Sequence, residues 1–541
     1  MNKRVIKFVS IILVLTLIAG CSSLSEKSQI YETKEEAKSE GKCNSGLKSE
    51  LSQASHDKEW ENSIVFEPQY IQGEMNTEEY ADIEENGYKL SLQNPLSTFS
   101  IDVDTASYSN IRRFLMDGQM PPKDAVRIEE MINYFTYDYP EPKGDTPFSV
   151  ITEINECPWN DKHDLAMVTL KGKELEVDKK KPSNLVFLID VSGSMNKPDK
   201  LPLLKSAFKM LVNQLKEDDR VSIVVYAGAA GVVLDSTNCS NKDIIIDAIE
   251  NLNAGGSTAG GEGIELAYKI ARGNFIEEGN NRIILATDGD FNVGPSSDGD
   301  LSDLIEKNRN DGVFLSVLGF GSGNLKDSKA ELLADKGNGN YSYIDNILEA
   351  KKVLVDEIGS TLFTIAKDVK FQIEFNPSKV KAYRLIGYEN RLLNDEDFND
   401  DKKDAGEIGA GHTVTVFYEL IPSDSDEKIP GVDELKYQDV KVKKSNDIMH
   451  IKLRYKDPEG LVSKLLGYPI DDNKISKQAS ENFNFASAIA EFGMLLRDSE
   501  FKGSSNYDHV VELAQKYKGD DKEGYRMEFI KMVKLAKELQ K

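Results

Sequence analysis

Between residues 183 and 365, short apolar runs alternate with stretches whose apolar positions recur every three or four residues. Leu185–Asp190 (LVFLID), Arg220–Tyr226 (RVSIVVY), Arg282–Thr287 (RIILAT) and Val313–Gly319 (VFLSVLG) read as strands buried on both faces, with Ser342–Ile344 a last short one. Leu201–Leu215, Ile244–Leu252, Ile264–Ala271, Leu301–Asn308 and Ile347–Leu362 carry helical spacing. Alternating β and α units of this length predict an α/β domain, a mostly parallel sheet with helices on both faces.

Outside that stretch the spacing changes. Phe148–Ile154 and Leu165–Leu170 precede it; Val369–Phe375, Lys381–Leu385, Thr413–Tyr418, Val440–Val442 and His450–Tyr455 follow it. Many of these alternate apolar and polar positions, as strands with one buried face do. Strands split between two flanks predict a β-sandwich formed by residues 91–182 and 366–475, with the α/β domain of residues 183–365 inserted in it. Over 476–541 helical spacing returns, with Phe485, Ala488, Ile489, Phe492 and Leu495–Leu496 on one face, continued by Val510–Tyr517 and Phe529–Leu539.

The first residues differ from all of this. Lys3, Arg4 and Lys7 precede an apolar run from Phe8 to Ala19, followed by Gly20-Cys21. A basic start, a short apolar stretch and small residues before a cleavage point predict a secretory signal over 1–20, too short for a spanning helix. Ile18-Ala19-Gly20-Cys21 also resembles the bacterial lipobox, which implies acylation of Cys21 and attachment of the exported chain to a membrane face, at the cell membrane or cell surface. Residues 21–90 are rich in Ser, Glu and Lys and show no steady period, so they read as a lipid-anchored disordered tether. Cys43, Cys157 and Cys239 are scattered over separate regions and make no metal set.

Charge narrows the function classes. The chain has 67 Lys plus Arg against 92 Asp plus Glu, a formal net charge of −25 that repels phosphate backbones and disfavours general nucleic-acid binding. Only five His occur in the 541 residues, and none lies in the α/β stretch, so no general base stands out there.

The candidate chemistry lies where the α/β strands end, the edge at which such sheets hold ligands. The first strand runs into Asp190-Val191-Ser192-Gly193-Ser194-Met195, a Gly-rich loop carries Gly255-Gly256-Ser257-Thr258, and RIILAT ends in Asp288-Gly289-Asp290. Alternate residues of the first loop point the same way, so Asp190, Ser192 and Ser194 can converge on one ion. Carboxylates and hydroxyls without His or thiolate are hard oxygen donors, suited to Mg²⁺ or Mn²⁺ rather than zinc or copper. An octahedral ion held mainly by neutral hydroxyls keeps positive charge and an open position, which a partner's carboxylate can fill.

This ordered set resembles the metal-ion-dependent adhesion site (MIDAS) of von Willebrand factor type A (VWA) domains, which have a Rossmann-like fold. The resemblance implies metal ligation by Asp190, Ser192, Ser194, Thr258 and Asp288, with the hydroxyls direct and the two Asp partly through water. The segments Ser97–Tyr108 (STFSIDVDTASY), Arg127–Phe135 (RIEEMINYF), Arg384–Arg391 (RLIGYENR) and Asp404–His412 (DAGEIGAGH) are similar to those of a bacterial family of exported VWA proteins, extending the resemblance over about 95–541. The expected protein is a surface lipoprotein, not an enzyme, that binds a protein partner through a divalent metal in adhesion or envelope assembly. The alternative is a scaffold whose metal site only stabilises its loops.

Other resemblances are poorer. Asp102-Val103-Asp104-Thr105 resembles the DxDxT start of haloacid-dehalogenase phosphatases, with Asp102 as nucleophile, yet no βα series comes after it. Asp395–Asn399 resembles the start of an EF-hand loop, but Asp400 and Gly406 stand where Gly and Glu are needed. Gly255–Gly263 lacks the Gly-Lys-Ser/Thr of a P-loop, and no Gly-x-Ser-x-Gly frames Ser192 or Ser194.

Overall fold

The structure, a computed structural model, describes residues 76–101, 104–175, 181–257, 260–289, 298–430, 441–458, 460–471, 475 and 478–541. Two short strands come first, β1 (Lys89–Leu90) and β2 (Leu96–Ser100), then the helices α1 (Ala106–Met116) and α2 (Ile128–Asn133), then a long hairpin of β3 (Phe148–Cys157) and β4 (Asn160–Gly172). Tyr108, Ile111 and Leu115 fall on one face of α1 and are fully buried.

Residues 76–90, which composition assigns to the tether, are instead held by backbone pairing. Thr77 N–H donates to Gly323 O at 2.8 Å, Glu79 N–H to Leu325 O at 3.0 Å, and Asp327 N–H back to Glu79 O at 3.1 Å. Lys89 and Leu90 pair with Tyr383 and Ala382. Polar side chains leave an extended backbone free to pair, which a composition-based reading misses.

The central α/β domain comes next: β5 (Ser183–Asp190), α3 (Leu201–Gln214), β6 (Arg220–Tyr226), β7 (Ala230–Asn238), α4 (Lys242–Glu250), α5 (Gly260–Gly273), β8 (Asn280–Thr287), α6 (Asp298–Asn310), β9 (Val313–Phe320), α7 (Asp327–Lys336) and β10 (Tyr341–Ile344). Its sheet runs β10-β9-β8-β5-β6-β7, parallel except for β7, which pairs antiparallel with β6. Every residue of β5 is buried because both faces are covered. Leu185, Phe187 and Ile189 pack with Leu204, Phe208 and Leu211 of α3, while Val186 and Leu188 pack on the other face with Ile264 and Tyr268 of α5. The closing helix is broken rather than continuous: α8 (Ile347–Lys351), a π turn over Lys352–Asp356, then α9 (Ile358–Leu362).

The chain then returns to β structure with β11 (Thr364–Phe375), β12 (Val380–Ile386), β13 (Ile408–Gly409), β14 (Thr413–Pro422), β15 (Asp447–Lys456) and β16 (Lys464–Asp471). Both sheets of the sandwich mix strands from before and after the insert. One runs β1-β12-β14-β4-β3, with Val168 opposite Val416; the other runs β13-β11-β15-β16, with β2 on β11 and Phe99 opposite Phe371. No strand forms at 441–442, and residue 440 lies outside the described residues. The Asp395–Asn399 segment is a 3₁₀ turn.

Three helices end the chain, α10 (Glu481–Arg497), α11 (Tyr507–Lys516) and α12 (Tyr525–Leu539), and they share one core with α1 and α2 through Phe485, Phe492, Phe529, Tyr134 and Phe135. Among the described residues no helix is long and apolar enough to cross a membrane.

Buried arginines join these parts. Arg112 of α1 donates to Asp345 (2.8 Å), to Glu349 of α8 (2.6 Å) and to Glu528 of α12 (2.9 Å). Arg391 reaches Asp104 (3.3 Å), Glu331 of α7 (2.8 Å) and Asp335 (2.5 Å). Arg127, 4% exposed, pairs with Glu130 of α2 and at 2.5 Å with Asp327 at the start of α7. Removing one partner of a buried ion pair leaves the others uncompensated, at a cost of about 3–5 kcal/mol. Arg127→Ala is therefore expected to lower the urea unfolding free energy by about that amount. A loss under about 1 kcal/mol would mean that Glu130 and Asp327 do not need the cation.

Candidate metal centre

Parallel pairing of β5 with β8, Ile189 opposite Ala286, brings the ends of the two strands to one sheet edge. Asp190 and Asp288, at those ends, are both fully buried. The first loop leaves β5 through Val191, whose N–H donates to Tyr226 O at 3.0 Å, and turns into a 3₁₀ segment over Gly193–Asn196. Met195 anchors that turn in the core below it. The Gly-rich loop locks onto it by two backbone bonds, Gly255 N–H to Val191 O at 2.7 Å and Gly193 N–H to Gly256 O at 3.0 Å. Gly256 has φ +90, a conformation that L side chains rarely adopt. Gly289 has φ +105, and a Cβ there would lie 2.6 Å from Leu325 Cα, so the turn after β8 closes directly on the loop after β9.

Within this cage the donors converge. Ser192 N–H donates to Asp190 Oδ1 at 2.8 Å, and the Thr287 hydroxyl to Asp190 Oδ2 at 3.4 Å. The Ser192 and Ser194 hydroxyls are 3.0 Å apart, and Ser194 also hydrogen-bonds Asp288. Lys200 Nζ donates to Asp288 Oδ2 at 2.8 Å and to Asn324 Oδ1 at 3.1 Å.

The two carboxylates differ electrostatically. Burial, helped by the charge of Asp288, pushes Asp190 up to about 6 against its hydrogen bonds from Ser192 and Thr287. Burial also acts against ionised Asp288, but bonds from Lys200 and Ser194 and the Lys200 charge outweigh it and hold Asp288 below the ordinary carboxylate range.

Four of the five expected ligands, Asp190, Ser192, Ser194 and Asp288, are thus brought together; Thr258 and Cys21 lie outside the described residues. Lys200, Asn324, Thr287 and Tyr226, whose phenol also reaches Asp190, complete the surroundings and were not foreseen from the sequence. The sequence carries no signal for the first of these, because a lysine one place before the α3 helical run does not announce a contact with Asp288. The donor set fits a hard divalent cation: it is all oxygen, two buried carboxylates converging with two hydroxyls at the ends of neighbouring strands.

A second acidic group has a different electrostatic character. Asp104, Glu130 and Glu331 are buried with carboxylate oxygens within 4.8 Å of one another, and Arg127 and Arg391 supply the positive charge among them. Asp104 is fixed by Tyr341 N–H at 2.7 Å, while Asp102, the nucleophile of the phosphatase reading, lies outside the described residues.

An acid whose folded value lies above its unfolded one destabilises the fold at pH above both, and the effect fades as pH falls from the folded value to the unfolded one. Asp190→Asn is therefore expected to stabilise the metal-free protein at pH 7 by about 1–2 kcal/mol and to change it little near pH 4. Thermal melts at the two pH values test this; equal gains at both would show that the carboxylate's charge is not the cause.

Known proteins provide the remaining comparison. Residues 184–355 match the sequence model of the von Willebrand factor type A domain, 74–167 one described as von Willebrand factor, and 360–539 one described as the C-terminal part of the uncharacterized protein YfbK. Uncharacterized protein YfbK of Escherichia coli (strain K12) is 44% identical over 472 residues, 85% of this chain and 81% of that protein. Inter-alpha-trypsin inhibitor heavy chain H3 of Mus musculus is 30% identical over 171 residues, 29% of this chain and 18% of that protein. Among solved structures, von Willebrand factor type A from Catenulispora acidiphila aligns with 70% of this chain and 89% of its own at 17% identity and a TM-score of 0.39. With a von Willebrand factor type A domain at its centre and a YfbK-type C-terminal region behind it, the chain belongs to the YfbK family of VWA-domain proteins.

Proposed function

We propose that this protein is a surface-anchored lipoprotein that binds a protein partner through a Mg²⁺ or Mn²⁺ ion held at the edge of its central sheet, in adhesion or envelope assembly. The observation that carries the reading is the convergence of Asp190, Ser192, Ser194 and Asp288 in one cage of interlocked loops. Ser192, Ser194 and Thr258 would offer hydroxyls to the ion, and the two Asp would orient the shell. A divalent ion there supplies a Lewis-acidic position for a partner's carboxylate. The chain's residues do the rest: they exclude water from beneath the site and hold the hydroxyls in place before the partner arrives.

Calorimetric titration of Mg²⁺ and Mn²⁺ into the metal-stripped protein should give binding that Asp190→Ala/Asp288→Ala abolishes while leaving the melting curve cooperative. Capture of a partner from envelope extract should show the same pattern, and capture that survives chelator would sink the reading.

Anchoring rests on Cys21 after its small, apolar approach Ile18-Ala19-Gly20. In cells fed a labelled fatty acid, the parent should incorporate label and Cys21→Ser should not; label retained by the variant would remove the anchor from the proposal.

A second reading is favoured by one contact. Lys200 already satisfies Asp288 without an ion, as it would in a scaffold whose contacts lie elsewhere. In that case deleting residues 476–541, and not the metal-site substitutions, would abolish capture.

A further inference from the structure

We infer that Lys200 is a tethered cation that holds Asp288 until a divalent ion displaces it, so that ion and partner load the site cooperatively. The inference rests on the metal reading above and concerns how that site is regulated.

Lys200 is not a surface lysine that happens to reach a carboxylate. It is 2% exposed and stands immediately before α3, fixed by its own N–H to Lys197 O at 3.1 Å and by Leu204 N–H to its carbonyl at 2.8 Å. Its stem crosses Gly321, where an added Cβ would lie 2.4 Å from both Lys200 Cγ and Cε, so a side chain there would push the lysine aside. That loop is itself held: Tyr343 Oη donates to Gly321 O at 2.8 Å, and Gly323 N–H to Glu78 Oε1 at 2.7 Å. At the end of the stem Nζ meets Asp288 and Asn324. The neighbouring Asp190 meets neutral donors, the Ser192 N–H and the Thr287 hydroxyl. The ammonium is therefore directed to one of the two carboxylates.

A charge count gives the consequence. Asp190, Asp288 and Lys200 together leave a single negative charge for a doubly charged ion, and the hydroxyls add none. In a poorly screened interior an ammonium and a divalent ion sharing one carboxylate repel each other strongly. An entering ion must therefore displace Lys200 from Asp288, at a cost to its own affinity that a partner's carboxylate, by adding a negative charge to the shell, offsets. Ion binding is thus weak alone and strong with a partner, and a metal-free site is kept from collapsing by its own lysine.

Mn²⁺ titrated into the metal-stripped full-length chain tests this, with and without acetate as the probe carboxylate. The parent, Lys200→Met and Asp190→Ala/Asp288→Ala are compared, and cooperative melting checks folding. Lys200→Met should bind Mn²⁺ about tenfold tighter or more than the parent, and acetate should tighten the parent more than the variant. Equal or weaker binding by Lys200→Met, with the parent binding and the double variant not, would overturn the inference and leave the metal reading standing. No binding by any of the three would remove the metal reading and this inference with it. The parent alone gives a check that needs no buried substitution: acetic anhydride should modify Lys200 slowly without metal and faster at saturating Mn²⁺, by mass spectrometry. Equal protection in both states would overturn the displacement.

Discussion

Two carboxylates buried side by side at the end of a parallel sheet are the constraint on which the rest of this molecule turns. Parallel strands end at one edge, so Asp190 and Asp288, each closing its strand, are forced together regardless of what they prefer. Burial raises the cost of their charge, and the two respond differently because, among the described residues, an ammonium is bonded to Asp288 while Asp190 meets neutral donors. A site of this kind stores an electrostatic demand that the fold must tolerate when no ion is bound. Among the described residues the loops around it are tied by backbone bonds, and at Gly289 a side chain would meet the backbone of the loop after β9.

Ties of this kind come from outside the central domain as well. The loop at Gly321–Leu325, which walls in Lys200, is pinned by Thr77, Glu78 and Glu79 of the segment ahead of the first strand. Arg112 and Arg127, from the same N-terminal region, fasten its helices to the starts of α7 and α8. The flanks therefore do more than carry the α/β domain, because they brace the loops that hold the carboxylates.

Burial decides how much of this was legible in the sequence. The strands covered on both faces, such as Leu185–Asp190, are continuous apolar runs and stood out. β7 was missed because it is an edge strand that starts on Ala-Gly and leaves Val232 and Val233 at the surface. β16 was missed for a similar reason, with Gly467 and Pro469 interrupting its pattern. The α7 sequence, DSKAELLADK, has too few apolar positions to show a period, since polar Asp327 and Glu331 are buried by arginines rather than by a greasy core. The candidate-site motifs were legible because they sit at strand ends at fixed spacing. Lys200 was not, because nothing in a sequence says that a lysine ten residues beyond Asp190 bends back to Asp288.

The insertion has a consequence for where the site is presented. The two ends of the central domain meet the sandwich at a single turn, Gly409–His412. Gly172 N–H donates to His412 O at 2.7 Å, Gly411 N–H to Lys173 O at 3.1 Å, and Ala410 N–H to Phe363 O at 2.8 Å. Gly409 lies so close to Ser360 O that a Cβ would sit 1.7 Å from it, so α9 is pressed onto this turn. Within the domain, β5 runs for eight residues, roughly 26 Å, before reaching Asp190. The broken helix from Ile347 to Leu362 spans the distance back, from the end of β10 to the turn on which both ends of the domain are fixed.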